Sequence, residues 1–183
     1  AGNNSCGTRS LQYGMMRDHV VAIDALCADG AIMRFGEETL GAGMAERALA
    51  EKLRALGIRE ADEITARFPR VMRRVGGYNI DALVPRGNRP INFAHLLVGS
   101  EGTLGISLKL ELALSALPKH RTLGICHFAT LRGAMEATAT LVALGPTAVE
   151  LVDRAMIDLA RDIAMFRPTI ERFVKGAPEA ILL

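Results

Sequence analysis

Two short apolar runs near the start of the chain are separated by residues that favour a turn. Residues 19–27 (HVVAIDALC) and 31–35 (AIMRF) are rich in aliphatic side chains, and Ala28-Asp29-Gly30 lies between them. An Asp-Gly pair between two such runs is a strong local signal for a β-hairpin. The pattern therefore predicts a hairpin closed by a type I′ turn.

The next segment changes to a helical period. Residues 41–56 (GAGMAERALAEKLRAL) have an apolar stripe with charged residues opposite it, which predicts an amphipathic helix. Gly57 is placed to end this helix. A second helix is predicted to start near Glu60, and Pro69 either stops it or begins a third short helix. The stripe consists of Met44, Ala48, Leu49, Leu53 and Leu56.

A loop-rich tract, residues 75–92, precedes a segment of strict alternation. Apolar residues occupy every second position from Ile106 to Leu114, and Ser107, Lys109, Glu111 and Ala113 lie between them. This period predicts a β-strand with one buried face and one solvated face. Pro118 ends the predicted strand.

After Pro118 short strand patterns alternate with helical ones. The pattern predicts strands at residues 121–128 and 148–152, helices at 131–144 and 154–164, and a last strand, AILL, that is cut off. Gly145-Pro146 is placed to stop the first of these helices. This order predicts an α+β fold, an α/β sandwich in this part of the chain, and a domain boundary near Leu117.

Composition excludes several classes of function. The net charge is only +2 over 183 residues, which does not favour a nucleic-acid surface. The three cysteines have no CxxC spacing, so neither a disulfide framework nor a zinc site is indicated. No apolar run is long enough to span a bilayer and no signal peptide is present, so we expect a cytoplasmic protein.

Two glycine-rich stretches are the candidates for chemistry. Residues 98–106 (VGSEGTLGI) could present backbone N–H groups to an anion, or could be a tight turn with no ligand. Residues 1–14 (AGNNSCGTRSLQYG) could cradle a phosphate, or could be a disordered terminus. Neither stretch matches GxGxxG or GxxxxGK[ST], so no Rossmann or P-loop site is predicted.

The remaining polar candidates are more simply explained by structure. Asp153 is placed as a helix N-cap. Arg73 and Arg74 are interpreted as part of a solvated face. The histidines have no mutual metal spacing, so no metal site is predicted and they are interpreted as structural or exposed: His95, His120 and His127.

In combination these segments resemble a known family. GNNSCGTRSLQYG, DHVVAIDALCADG, GYNIDAL and LLVGSEGTLGI occur in this order. They resemble the FAD-linked oxidases of the vanillyl-alcohol oxidase (PCMH-type) superfamily, and more closely its D-lactate dehydrogenase, glycolate oxidase and D-2-hydroxyglutarate dehydrogenase branch. The resemblance covers residues 1–117 well and the remainder weakly. It implies that 1–117 form most of the second FAD-binding subdomain, an antiparallel sheet with flanking helices, and that 118–183 begin the substrate (cap) domain.

The resemblance also implies a set of cofactor contacts. Residues 2–8 would lie against the flavin diphosphate and the inner part of the ring system, and Tyr13 and Gly14 would shape that wall. Val20 would hold the adenine end through its backbone. The GSEGTLGI turn would complete the adenosine pocket. The implied residues are Gly2, Asn3, Asn4, Ser5, Cys6, Gly7, Thr8, Tyr13, Gly14, Val20, Glu101, Gly105 and Ile106.

The activity implied by the resemblance is FAD-dependent oxidation of a D-2-hydroxy acid to a 2-oxo acid. D-lactate is the first choice of substrate, and glycolate and D-2-hydroxyglutarate follow. FAD would be noncovalent, and electrons would pass to a quinone, a cytochrome or an iron–sulfur module, with the parent enzyme cytoplasmic or peripheral to the inner membrane.

The chain also departs from the family pattern. The family's first FAD subdomain is absent, and Ser107-Leu108-Lys109 stands where relatives have a Thr-Glu pair. We therefore expect a piece of a larger flavoprotein that is inactive alone, with its catalytic residues elsewhere. Two alternatives stay open: a non-catalytic folded fragment that binds no flavin, and an oxidase of the same superfamily with another alcohol substrate.

Overall fold

A computed structural model of the chain describes residues 1–37, 41 and 43–183. These residues form two compact units. Unit 1 comprises Ala1–Gly7 and Gly14–Ser115, and unit 2 comprises Thr8–Tyr13 and Ala116–Leu183. Both units combine helices with an antiparallel sheet, so the fold is α+β.

The elements are numbered in chain order. The helices are α1 (Ser10–Tyr13), α2 (Met16–His19), α3 (Met44–Arg59), α4 (Ala61–Arg67), α5 (Ala94–Leu97), α6 (Leu131–Ala143), α7 (Arg154–Asp162) and α8 (Arg167–Phe173), with a 3-10 turn at Ile80–Leu83. The strands are β1 (Val20–Leu26), β2 (Ile32–Phe35), β3 (Ile106–Leu112), β4 (Cys126–Phe128), β5 (Leu151–Asp153) and β6 (Ala180–Leu182).

The predicted hairpin is confirmed, and its turn differs from the prediction. Strands β1 and β2 pair antiparallel, with Leu26 opposite Ile32. The Cys27 N–H donates to the Ala31 carbonyl at 2.8 Å, which closes a three-residue loop. A type I′ turn needs positive φ at both central residues, whereas among these described loop residues Gly30 alone has one, at +85°. The extra residue is accommodated by glycine in the left-handed region.

Helix α3 is also confirmed, but Gly57 lies inside it. The helix continues to Arg59, and Gly57 is buried on the face that meets the 3-10 turn. A Cβ at this position would overlap the carbonyl oxygen of Leu83. Gly57 therefore permits close packing and is not a stop signal. The buried face is displaced from the predicted stripe: Leu53 and Leu56 pack on the core, whereas Met44, Ala48 and Leu49 are exposed. Ala42, in the predicted first turn, lies outside the described residues.

The sheet of unit 1 has the order β2-β1-β3. Ile23 on the central strand is opposite Phe35 on one side and Leu110 on the other. The core is built from β1, the end of α3 and α5, and Phe93 is fully buried in it. Strand β3 is at the predicted place, but the prediction of one buried face is wrong. Every residue of β3 is exposed within the described chain, because this edge strand has β1 on one side and no element over its apolar side chains.

Unit 2 is organised around its last strand. The sheet order is β4-β6-β5, and β6 is buried over its whole length. Ala180 and Leu182 pack against α6, while Ile181 packs against α7 and α8. Because successive side chains of a strand point to opposite faces, an unbroken apolar run fits a strand covered on both faces. The predicted AILL strand is confirmed, as is the Asp153 N-cap, whose carboxylate accepts from the Met156 N–H at 2.9 Å.

We expect Gly57→Ala to destabilise the chain by about 2 kcal/mol, because the clash with Leu83 outweighs the higher helix propensity of alanine. Urea unfolding monitored by circular dichroism measures this change. Gly76→Ala is the matched control, since a Cβ at Gly76 meets no atom within 4 Å. Equal stability of the two variants would contradict the close-packing role.

Candidate functional site

The start of the first glycine-rich stretch, residues 1–7, lies beside the second stretch in unit 1. The Gly99 N–H donates to the carbonyl of Ala1 at 3.1 Å, and the Glu101 N–H donates to the carbonyl of Gly2 at 2.9 Å. The two backbones run so close that a Cβ on Gly2 would lie 4.0 Å from the Cα of Glu101. Residues almost a hundred positions apart therefore form one surface.

Asn4 anchors the first stretch. Its side chain is fully buried, and its backbone has a φ of +46°, which asparagine tolerates better than most residues. Its Oδ1 accepts from the Arg17 N–H at 3.0 Å, and its Nδ2 donates to the carbonyl of Arg74 at 3.4 Å. Asn4 thus has a structural role, while its neighbours Asn3 and Ser5 are exposed.

A buried polar network, formed by Arg17, Arg74, Asn79 and Asp81, lies beneath the surface. Both arginines donate to Asn79 Oδ1, from 3.1 Å and 3.0 Å, and both also donate to the Asp81 carboxylate. Asn79 Nδ2 donates to the carbonyl of Val98 at 2.7 Å. The network therefore connects α2 and residues 77–79, here called the GYN segment, to the start of the second glycine-rich stretch.

Gly99 lies at a junction where the two glycine-rich stretches meet the GYN segment, and this position requires glycine. Its φ is +84°, and a Cβ there would lie 3.2 Å from the carbonyl oxygen of Gly77 and 3.3 Å from the Cβ of Asn4. Three segments meet at this point, so a side chain would force them apart. The loop-rich tract, whose glycines and prolines are typical of a functional loop or a linker, thus contributes Gly77 to this junction.

Small and polar groups form the outer side of the junction. Asn3, Ser5 and Gly7 are exposed, and a Cβ on Gly7 would meet no atom within 4 Å. On the second stretch residues 101–104 are exposed, and Thr103 Oγ1 is hydrogen-bonded to the Tyr78 hydroxyl at 2.8 Å. This surface therefore carries open backbone and hydrogen-bonding groups.

Four backbone N–H groups of the GSEGTLGI turn are already hydrogen-bonded within the chain. The N–H groups of Gly99, Ser100, Glu101 and Thr103 all donate to carbonyl groups of the chain. An anion nest needs such groups to be free and convergent. These four groups therefore stabilise the turn, and a ligand on this surface must use side chains or other backbone groups.

Three further residues implied by the resemblance have clear structural roles. Gly14 has a φ of +75° and leaves no room for a Cβ beside the Asp18 carboxylate. Val20 is buried in the core, and its carbonyl accepts from Asn92 Nδ2 at 3.3 Å. A Cβ on Gly105 would lie 3.2 Å from the carbonyl oxygen of Leu26, so this glycine lets β3 start close to β1.

Ile106 begins β3 and is exposed. Thr8 and Tyr13 belong to unit 2, where they line a cavity of about 830 Å³ with Arg9, Arg121 and Glu150. Its size is in the range of small-molecule sites. The structure thus brings residues 1–7 together with the second glycine-rich stretch, whereas Thr8 and Tyr13 line a cavity in unit 2. Cys6 is partly buried within the first stretch.

Sequence reasoning missed the network residues. Arg74 was assigned to a solvated face, and this is wrong: its side chain is 15% exposed and its guanidinium stacks 4.6 Å from the Phe68 ring centroid. Asp81 and Arg17 were not singled out at all. The Asn-Ile-Asp spacing after Gly-Gly-Tyr was the available signal, since it carries two polar residues into an otherwise apolar turn.

The described residues contain neither a membrane-spanning helix nor a metal-binding cluster. None of the described helices is long and apolar enough to cross a membrane. Within the same residues no three His, Cys, Asp or Glu side chains form a group that could hold a metal ion.

We expect Asn4→Ala to lower the free energy of unfolding by about 2–3 kcal/mol, because it removes two buried hydrogen bonds and strains a left-handed backbone. Thermal and urea denaturation measure the loss. Asn3→Ala is the matched control, because Asn3 is exposed and bonds only to its neighbour Ser5 among the interactions described. Similar stability losses in the two variants would contradict the anchoring role of Asn4.

The stability of unit 1 should also depend on pH through His95. Burial lowers the pKa of His95 below its ordinary value, Arg17 lowers it further, and the Val20 backbone, Asp18 and Asp81 act in the opposite direction. A lowered folded-state pKa means that the unfolded chain binds more protons. The contribution of neutral His95 to the stability of unit 1 is therefore fully present above about pH 6.5, and it is lost as the pH falls.

Urea unfolding at pH 7.5 and pH 5.5 tests this dependence. His95→Gln keeps an N–H donor but cannot titrate, so its stability should fall less than that of the wild type between these two pH values. An equal fall in both proteins would show that other groups cause the pH dependence.

Comparison with known proteins shows which proteins this chain is similar to. Residues 117–182 match the family of FAD linked oxidases, C-terminal domain. The chain is 29% identical over 160 residues to a probable mitochondrial D-lactate dehydrogenase of Danio rerio. This alignment covers 86% of the chain and 24% of that relative.

Two microbial relatives align over nearly the whole chain. A D-2-hydroxyglutarate dehydrogenase of Haemophilus influenzae is 24% identical over 98% of this chain and 18% of its own length. A D-lactate dehydrogenase of Archaeoglobus fulgidus is 25% identical over 98% of this chain and 30% of its own length. The chain thus spans less than a third of each of these relatives. Residues 117–182 are thus similar to the C-terminal domain of FAD linked oxidases, and most of the chain is similar to D-lactate and D-2-hydroxyglutarate dehydrogenases.

Proposed function

We propose that this chain supplies part of the FAD site of an enzyme that oxidises a D-2-hydroxy acid to a 2-oxo acid. The observation that carries the proposal is the backbone pairing of the two glycine-rich stretches, through Gly99 to Ala1 and Glu101 to Gly2. This pairing creates one open surface from the segments that carry the resemblance to flavin oxidases. Relatives named D-lactate and D-2-hydroxyglutarate dehydrogenases support the substrate class.

The domain assignment is part of the same proposal. Residues 1–117 would be most of the second FAD-binding subdomain, and residues 118–183 would begin the substrate (cap) domain. The division between the two compact units at Ser115 and Ala116 supports this boundary, as does a family match that starts at residue 117.

The exposed side of the junction fits a large flat cofactor. Gly2 and Gly7 leave the backbone uncovered, and Asn3, Ser5 and Cys6 offer small polar groups beside them. FAD would supply the two-electron acceptor for the hydroxy acid, and electrons would leave through a quinone, a cytochrome or an iron–sulfur module. This chain's residues would hold and orient the cofactor, and the buried network would keep both stretches in register.

The cavity of unit 2 suits the substrate. Arg9 and Arg121 line it, and a guanidinium group binds a carboxylate through paired hydrogen bonds. We propose D-lactate as the first choice, with glycolate and D-2-hydroxyglutarate next. Steady-state assays of the longer protein with these three acids and an artificial electron acceptor would rank them.

Flavin titration tests the cofactor site directly. We expect the chain to bind FAD saturably, with a change in flavin fluorescence and a rise in the melting temperature. Gly7→Val should weaken binding at least about tenfold, since its side chain projects into open space that the cofactor would fill. Its melting temperature without FAD should equal that of the wild type.

Gly76→Val is the matched control, because a Cβ at Gly76 also meets no atom within 4 Å and Gly76 lines neither of the two cavities described. It should leave FAD affinity unchanged. If the chain alone does not bind FAD, the same titration is repeated with the chain extended at both ends. Failure of the extended protein to bind FAD would overturn the proposed function.

A further inference from the structure

A second concave site in unit 1 has no role in the proposed flavin surface. This site, here called the arginine pocket, has a volume of about 230 Å³. Its wall is mainly polar and contains three arginines. The residues that define it are Arg17, Asp81, Arg86, Arg89, Asn92 and His95.

Positive charge is in excess around this pocket. Asp81 has three arginines within 4.0 Å: Arg17 at 3.1 Å, Arg74 beneath the pocket, and Arg86 at 3.6 Å. One carboxylate cannot neutralise three guanidinium groups. Arg89 adds a fourth positive charge, and Asp18, whose carboxylate is 3.9 Å from Arg17, is the other acidic residue that lines the pocket. The local balance leaves about two positive charges uncompensated.

The turn at residues 86–89 places two of these arginines together. Arg86 and Arg89 are directly opposite each other in a β-bridge, and the Arg89 N–H donates to the Arg86 carbonyl at 3.3 Å. Gly87 makes the turn possible with a φ of +59°. Paired residues of a bridge point to the same side, and like charges in that position repel. An anion between them would remove the repulsion.

The other polar groups of the pocket are already engaged. Asn92 donates its amide to the carbonyl groups of Val20 and Val21 and accepts from the Ala94 N–H. The Arg17 guanidinium is held by Asn79 and Asp81. The pocket therefore has a rigid base and two exposed arginines at its opening, Arg86 and Arg89, that can close on a ligand.

We propose that the arginine pocket binds a dianionic oxyanion, either a phosphate group or a dicarboxylate. The two excess charges match such a ligand, and guanidinium groups recognise both chemistries through paired, charge-assisted hydrogen bonds. The site is separate from the flavin surface, because it is formed by α2, the 3-10 turn, the Arg86–Arg89 turn and α5. The proposal does not rest on the proposed function.

Calorimetric titration of the full chain with inorganic phosphate and with malonate tests the proposal, at constant ionic strength in chloride. We expect saturable binding of at least one of them; tighter binding of phosphate or of malonate identifies which of the two chemistries the pocket prefers. Arg86→Gln and Arg89→Gln should each weaken binding at least about fivefold. Arg70→Gln, which removes an exposed arginine outside the pocket, should not.

His95 provides a second readout inside the pocket. An anion beside Arg17 offsets the positive charge that helps to lower the pKa of His95, so the histidine should titrate at higher pH when the pocket is filled. Proton NMR of the imidazole measures this. The proposal is overturned if neither anion saturates, if Arg86→Gln and Arg89→Gln bind like the wild type, or if FAD competes with the anion and so shows that the pocket is part of the flavin site.

Discussion

The fully buried side chain of Asn79 is the interaction on which unit 1 most depends. Its amide donates to the carbonyl of Val98, and its oxygen accepts from Arg17 and Arg74. A buried amide must have its hydrogen bonds made within the protein, because water cannot replace them. Asn79 thereby sets the relative positions of α2, the GYN segment and the GSEGTLGI turn, and the paired glycine-rich stretches follow from that arrangement.

The charges around Asn79 give the same region two different faces. Asp81 lies between Arg17 and Arg74, so the network is paired and buried on its inner side. Toward the Arg86–Arg89 turn the arginines outnumber the carboxylates, whereas the exposed residues Asn3, Ser5 and Gly7 carry no charge. The two faces therefore differ in charge, and surface charge selects binding partners by their charge.

Glycine has several distinct purposes here, and sequence context alone does not separate them. Gly30 ends the hairpin loop with a positive φ, as expected from the Asp-Gly pair. Gly57 and Gly105 instead allow another backbone to come within contact distance. Local patterns report turn preferences correctly, but a close approach depends on a segment far away in the chain. For that reason the prediction that Gly57 ends a helix was wrong, although the helix itself was found.

The sequence by itself determined the elements whose signal is local. The hairpin, α3, α4, α6, α7 and the buried strand β6 follow from apolar period and from capping residues such as Asp153. It also indicated the two glycine-rich stretches and, through them, a resemblance to FAD-linked oxidases. Only the tertiary structure decided that Ala1 pairs with Gly99, that Arg74 is largely shielded from solvent, and that the apolar side chains of β3 are left uncovered. Periodicity reports which side chains avoid water, whereas long-range contacts and charge pairing depend on which distant segments the chain brings together.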